Sequence, residues 1–240
     1  MFKNKYSFLI CSFVLFFACK EDSMLTFSEV NITTDNNILV EINIPRAFGD
    51  STISSNINSE ISKLIISRLN IGDSETSSSK SIEESVTAFN NEYRSFVSDF
   101  PESTQPWEAQ IDGEVMYQSE KVISISLTFY INTGGAHGIL QIPFLNFNTL
   151  TGKPIENKDL FNNLEAFKSI AKTHFDNAVE DKNTLFEPDN FTLPANIGYT
   201  EEGLILLYNV YEIAPYSTGT IEFTIPYKEV DSVLVLDSSI

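Results

Sequence analysis

The spacing of hydrophobic positions changes several times along the chain, and each change predicts an element. An apolar run from Phe8 to Ala18, broken only by Ser12, follows Lys3 and Lys5 and stops at Lys20, Glu21 and Asp22. From Leu25 to Ile44 the spacing is mostly two, through Phe27, Val30 and Ile32 and then Ile38, Val40, Ile42 and Ile44. That alternation predicts two strands turning at Asp35, Asn36 and Asn37, the second ending at Pro45. Ile53, Ile57, Ile61, Leu64, Ile65 and Leu69 then recur at three and four, the stripe of an amphipathic helix. A polar loop, Gly72 to Lys80, separates it from a second helix. Ser81 with Glu84 opens that helix as a capping box, Ile82, Val86, Phe89, Tyr93, Phe96 and Phe100 form its apolar face, and Pro101 stops it.

From Trp107 the alternation returns. Ala109, Ile111 and Val115 lead into a strand-forming run from Val122 to Ile131, and Ile139 to Phe147 predicts a third strand before the Thr151-Gly152 turn. Phe167, Ile170, Ala171, His174, Phe175 and Ala178 share one face of a helix expected over Leu164 to Val179. Gly203 to Tyr211 and Gly219 to Ile225 complete the sheet portion. Because strands and helices come in blocks rather than alternating singly, the expected class is α+β, with mainly antiparallel sheet, packed helices and two αβ portions, 25–104 and 105–240.

The amino-terminal run needs a different reading. About 11 apolar residues are too few for a ~20-residue membrane span, whereas a basic start and a short apolar stretch suit a secretory leader over residues 1–18. Ala18 is the small residue expected before a lipidated Cys19, although Phe16 stands where a lipoprotein signal usually has Leu. Residues 19–24 then form a lipidated tether, and several acyl chains at Cys19 would hold the protein to a membrane. Lys20-Glu21-Asp22 resembles the signal that directs some lipoproteins to the outer membrane. The expected place is therefore the cell envelope, lipid-anchored at the outer membrane.

Composition narrows the chemistry. Both cysteines, Cys11 and Cys19, fall in the leader or at the anchor, so the rest of the chain has no thiol for a disulfide, a nucleophile or a sulfur-ligated metal. The chain carries 33 acidic against 15 basic residues, a net charge of −18. Two of those cations, Lys3 and Lys5, belong to the leader, so what remains is more acidic still. Such a field repels nucleic acid and anionic membrane surfaces, and it draws in basic proteins. It also keeps an exposed protein soluble.

Three blocks in the second half carry a family resemblance: TGGAHG at 133–138, NFNTLTGKPIENKDLF at 146–161 and YNVYEIAPYSTGTIEFTIPYKEV at 208–230. In this order they resemble an extracytoplasmic α+β domain shared by RsiV-type lysozyme-sensing anti-sigma factors and PdaC-type deacetylases, where it is the non-catalytic part. The match runs from Trp107 to Leu234, while Leu25 to Phe100 resembles the companion amino-terminal domain in element order. Gly138 stands where the family often has Pro, and Asn148 where it often has Asp. The resemblance implies an α+β fold and, in the anti-sigma factors, a sensor that binds lysozyme. Those factors need a cytoplasmic segment and a membrane helix, in place of which this chain has a leader ending at Cys19. Deacetylase chemistry resides in a separate metal-dependent domain.

The candidate residues are read as a framework for binding, with no catalytic residue, metal or cofactor expected. Gly134 and Gly135 suit a turn with positive φ, and His137 is expected to hydrogen-bond across that loop. Pro215 and Gly219 bracket a tight loop after Tyr211, and Pro226 closes the final strand. Tyr208, Tyr211, Tyr216 and Tyr227 read either as core residues with satisfied hydroxyls or as a stacking platform for sugars. His137 and His174 lie too far apart in sequence for a near-spaced zinc site, and Glu201-Glu202 sits in a turn. The function expected is a non-enzymatic envelope lipoprotein that binds lysozyme or another basic protein. The alternative is a carbohydrate- or peptidoglycan-processing enzyme whose acid pair is not evident. For the anchor, Cys19→Ser should abolish incorporation of labelled palmitate and release the protein from the membrane fraction; a mutant that still labels and sediments with membranes would refute the assignment.

Overall fold

The computed structural model describes residues 25–71, 79–102 and 105–236. The leader and Cys19 lie outside the described residues, as does most of the loop expected at Gly72 to Lys80. Among the described residues no helix is long and apolar enough to cross a membrane.

The first two strands, β1 (Thr26–Asn31) and β2 (Val40–Phe48), pair antiparallel with Val30 opposite Ile44. β2 runs through Pro45 instead of ending there. Its ladder to the next strand covers only Val40 to Asn43, so the missing proline N–H interrupts nothing on that side. Ile38, expected inside the strand, is 75% exposed before it. The Asn37 side chain closes that turn by accepting from the N–H groups of Leu39 and Val40.

The two helices form as their stripes predict. In α1 (Ser51–Leu69) the Asp50 carboxylate accepts from the N–H groups of Thr52 and Ile53, and Ile57, Ile61, Ile65 and Leu69 are buried. In α2 (Ile82–Asp99) Ser81 Oγ accepts from Glu84 N–H. The Glu84 carboxylate reaches back to the Lys80 N–H at 2.6 Å rather than to Ser81, a capping box displaced by one residue. The helix pair is also a crossover, because β3 (Glu108–Gln118) returns parallel to β2. A parallel neighbour cannot be reached by a tight turn and needs a connection of this length.

β4 (Val122–Asn132) pairs antiparallel with β3, with a bulge between Val115 and Tyr117. The single strand expected from Ile139 to Phe147 is two, β5 (Ile139–Gln141) and β6 (Phe144–Asn148), both against β4. Pro143 breaks it, since that residue has no N–H to give, although its carbonyl still accepts from Leu127. β7 (Pro154–Ile155) completes a seven-stranded sheet ordered β1-β2-β3-β4-β6-β7, with β5 also on β4. One core joins this sheet to α1 and α2 through Ile42, Ile111, Ile125, Ile57, Ile61 and Phe89.

A second core forms around α3 (Leu164–Ala178), whose Phe167, Ala171 and Phe175 are buried. They pack on a three-stranded antiparallel sheet, β8 (Asn196–Tyr199), β9 (Gly203–Tyr208) and β10 (Ile221–Pro226), followed by a short α4 (Tyr227–Val230). β9 stops at Tyr208 rather than Tyr211, and β10 begins at Ile221 rather than Gly219. The four residues Asn-Ile-Gly-Tyr of β8 gave no alternation to read. The class is α+β and mostly antiparallel, as expected, with β2 and β3 its parallel pair.

The two sheets meet where β8 lies against β4 and β6. Asn146 Nδ2 donates to the Ile197 carbonyl at 2.7 Å, and Ser124 Oγ accepts from the Tyr199 N–H at 3.1 Å. Ser124 Oγ in turn donates to Asn146 Oδ1 at 2.8 Å. Both side chains are buried. Gly198, between the two paired residues, allows this approach, since a Cβ there would stand 2.7 Å from Met116 Cε and 3.0 Å from Ser124 Oγ.

Candidate functional site

The break between β5 and β6 builds the site. It leaves the backbone of Ile142 without a strand partner, and the Asn209 amide takes its place. Ile142 N donates to Asn209 Oδ1 at 2.7 Å, and Asn209 Nδ2 donates to the Ile142 carbonyl at 3.3 Å. Asn209 is held in turn by Glu212, whose carboxylate accepts from Asn209 N–H at 2.8 Å and from Ala195 N–H at 2.7 Å. These contacts bring the β9–β10 loop alongside the β4–β5 loop.

Where the loops meet, three rings form a patch in which His137 and Tyr211 are exposed and Tyr216 is half-buried. His137 stacks on Tyr216 with centroids 3.8 Å apart and planes 18° from parallel. Tyr211 lies beside them, 5.7 Å from Tyr216 and 6.5 Å from His137 between centroids. The Tyr216 hydroxyl donates to the Gly138 carbonyl at 3.1 Å, fixing the ring that carries the stack. His137 does not bond across its own loop. Its Nδ1 faces the adjacent Gly138 carbonyl at 3.0 Å, and its Nε2 is 3.5 Å from the Tyr211 hydroxyl. A proton on Nδ1 satisfies both contacts, leaving Nε2 as acceptor.

The loop backbones are specialised. Gly134 has φ +86°, as the turn requires, whereas Gly135 does not take a positive φ. Gly134 also sits over the Trp107 indole, where a Cβ would approach Nε1 to 3.6 Å; that buried N–H has no hydrogen-bond partner among the described residues. In the other loop Pro215 precedes the Tyr216–Thr218 turn and Gly219 follows it at φ +77°. Tyr211 has φ +67° and is 52% exposed. A side-chain-bearing residue in that left-handed region costs about 1–2 kcal/mol relative to an ordinary conformation, and the segment holds it there.

The remaining candidates lie apart from the patch. Tyr208 and Tyr227 are core residues, donating to the carbonyls of Thr192 and Thr200 at 2.6 Å each. Burial pushes both hydroxyls well above the ordinary tyrosine range. The four tyrosines therefore divide, two in the core and two on the patch. His174, on α3, pairs with Glu229 on α4 at 2.9 Å. Glu201 and Glu202 are exposed in the β8–β9 turn, and Pro226 ends β10. Among the described residues no group of three His, Asp or Glu side chains gathers as a metal site would. Sequence reasoning passed over Asn209 and Glu212, although an asparagine directly after an apolar strand and an acid three residues later are recognisable turn chemistry.

Residues 32–140 match the family model described as Deacetylase PdaC, and residues 155–228 match that of a protein of unknown function, DUF3298. No curated protein matches the sequence. A DUF3298-family protein of Bacteroides fragilis superposes with a TM-score of 0.64 at 19% identity, over 90% of this chain and 96% of that one. A DUF3298-family protein of Pseudomonas aeruginosa gives 0.62 at 19% identity, over 90% and 97%. At such identity the likeness is one of fold. The chain belongs to the PdaC/DUF3298-type domain family.

The left-handed backbone at Tyr211 separates two substitutions that both remove the ring. Tyr211→Gly relieves the strain, whereas Tyr211→Val adds a β-branched residue in a region it rarely enters. The valine variant should melt several degrees below the glycine variant, at about 2–4 °C per kcal/mol for a chain of this size. Equal melting temperatures would mean that the left-handed conformation is not kept in solution.

Proposed function

We propose that this member of the PdaC/DUF3298-type family is a non-enzymatic binding module of the cell envelope, held at the outer membrane by lipid on Cys19. Its partner is a basic protein, with lysozyme the first candidate. The observation that carries this reading is the patch of His137, Tyr211 and Tyr216. A pre-positioned, partly exposed cluster of aromatic rings is the kind of anchor that concentrates binding energy in a protein interface. Its geometry is held by backbone contacts, so little ordering remains to oppose association.

Charge supplies the choice of partner. A net charge of −18 speeds encounter with a cationic protein, through a field that salt shortens to about 8 Å at physiological ionic strength. Acidity alone would draw any basic protein weakly and let go as salt rises. A desolvated aromatic anchor adds contacts that salt does not screen, and the two contributions separate on that basis.

The test titrates the full chain with lysozyme and with an equally basic unrelated protein, at low and at physiological salt. The lysozyme complex should persist at physiological salt while the other fades. Tyr216→Ala and Tyr211→Ala should each weaken it about tenfold or more, as aromatic anchors do. Equal affinities that both vanish at physiological salt would reduce the acidic surface to a solubility device and remove lysozyme as partner.

A further inference from the structure

The loop that carries Tyr211 and Tyr216 has a second side. Behind it, between α3 and the segment that leads to β8, lies a pocket of about 250 Å³. Its floor is apolar, formed by Phe175 and Leu185, which are buried. Ile213 from the patch loop forms one wall. Phe186 stands at the pocket 56% exposed, with its N–H donating to the Ile213 carbonyl at 2.9 Å. An exposed phenylalanine whose backbone is tied to the same loop is not explained by packing.

Two carboxylates complete the lining. Glu212 is fixed by its bonds to the Asn209 and Ala195 N–H groups. Glu187 accepts from Asn190 Nδ2 at 2.7 Å and is otherwise exposed. Among the described residues no lysine or arginine lines the pocket. The nearest cation in sequence, Lys182, is directed to Asp176 at 2.6 Å and shares it with Lys172. The site therefore joins an apolar floor, an aromatic rim and fixed negative charge.

The geometry points to a pocket for one lysine or arginine side chain of the basic protein partner. The inference rests on reading this face as a protein-binding surface and adds to it a second point of attachment. The aliphatic stem of such a side chain buries against Leu185 and Ile213, as long cationic side chains do on apolar surface. Its charged end meets Glu187 and Glu212, and a cation over the Phe186 ring gains further attraction. Neither an anionic group nor a purely aliphatic one uses all three features. The volume accommodates one side chain and little more. Because Ile213 lies between Tyr211 and Tyr216 in the chain, a partner seated on the rings has the pocket within reach of a neighbouring residue.

The test uses the full chain and three small probes: the N-acetyl amides of arginine, lysine and norleucine. Titration followed by chemical shifts should show the two cationic probes saturating in the millimolar range, with norleucine several-fold weaker. Phe186→Ala and Glu187→Gln, both at exposed positions, should each weaken the cationic probes about three- to fivefold, from the size of an exposed cation–π contact or charge pair. Equal binding of norleucine, unchanged affinity in both variants, or no saturable binding would each overturn the pocket assignment. The same variants titrated with lysozyme keep the two proposals apart. If Tyr216→Ala abolishes the lysozyme complex while Phe186→Ala and Glu187→Gln leave it intact, the patch reading stands and the pocket has no part in it. If the cationic probes bind as described and lysozyme does not, the pocket stands and the choice of lysozyme falls.

Discussion

A buried strand edge must find partners for its backbone groups, and in this chain side chains supply them. β8 is the edge of the small sheet, and it is buried against β4 and β6. Asn146 gives a partner to the Ile197 carbonyl, which would otherwise be an enclosed orphan, and Ser124 accepts from the Tyr199 N–H. Each such orphan costs about 1–3 kcal/mol, a sizeable share of the ~5–15 kcal/mol by which a domain is usually stable. Gly198 suits this close approach, because a Cβ there would press on Ser124 Oγ at 3.0 Å and make the Met116 side chain move aside. The same solution recurs at Ile142, where Asn209 stands in for the strand that Pro143 interrupts. Asparagine takes part in both joins, with an amide that offers a donor and an acceptor at once.

The patch follows from these joins. Asn209 ends β9 and fixes where the next loop begins; Glu212 then fixes Asn209. Tyr216 reaches the Gly138 carbonyl only because the two loops have been brought together, and His137 stacks on the ring so placed. His137 lies 74 and 79 residues from Tyr211 and Tyr216 in the chain and comes from a different loop. Their arrangement depends on two sheets with separate cores keeping one relative position.

Much of the fold was legible because burial on one face imposes a period. The stripes of α1, α2 and α3 were visible for that reason, as was β3, whose alternating residues face a core on one side; β4, buried from Val122 to Leu127, showed instead as a run of strand-forming residues. What could not be read were features set by contacts distant in sequence. β2 continues past Pro45 because its ladder to β3 ends at Asn43 while its pairing with β1 runs on to Phe48, and β8 is received by Asn146 and Ser124. The site divided in the same way. The glycines and prolines around the patch announced turns, and Tyr211 and Tyr216 were among the residues singled out. Nothing local separated them from Tyr208 and Tyr227, which have the same neighbours in kind but end in the core. His137 keeps a partner at the end of its own loop, the adjacent Gly138 carbonyl, and its ring also stacks on a loop more than seventy residues away, which nothing local foretells.

The central claim is that the polar join makes one folded unit of two cores, and that the patch exists only in that unit. It is tested most directly by unfolding the full chain in urea and following each core separately. Trp107, the single tryptophan, reports the larger core through its fluorescence. Pulsed hydrogen exchange over Leu204 to Leu207 reports the smaller one through β9. The account predicts coincident midpoints, with both cores lost in a single transition. Loss of protection in β9 at a distinctly lower urea concentration, while Trp107 stays native, would show two independent units and contradict it.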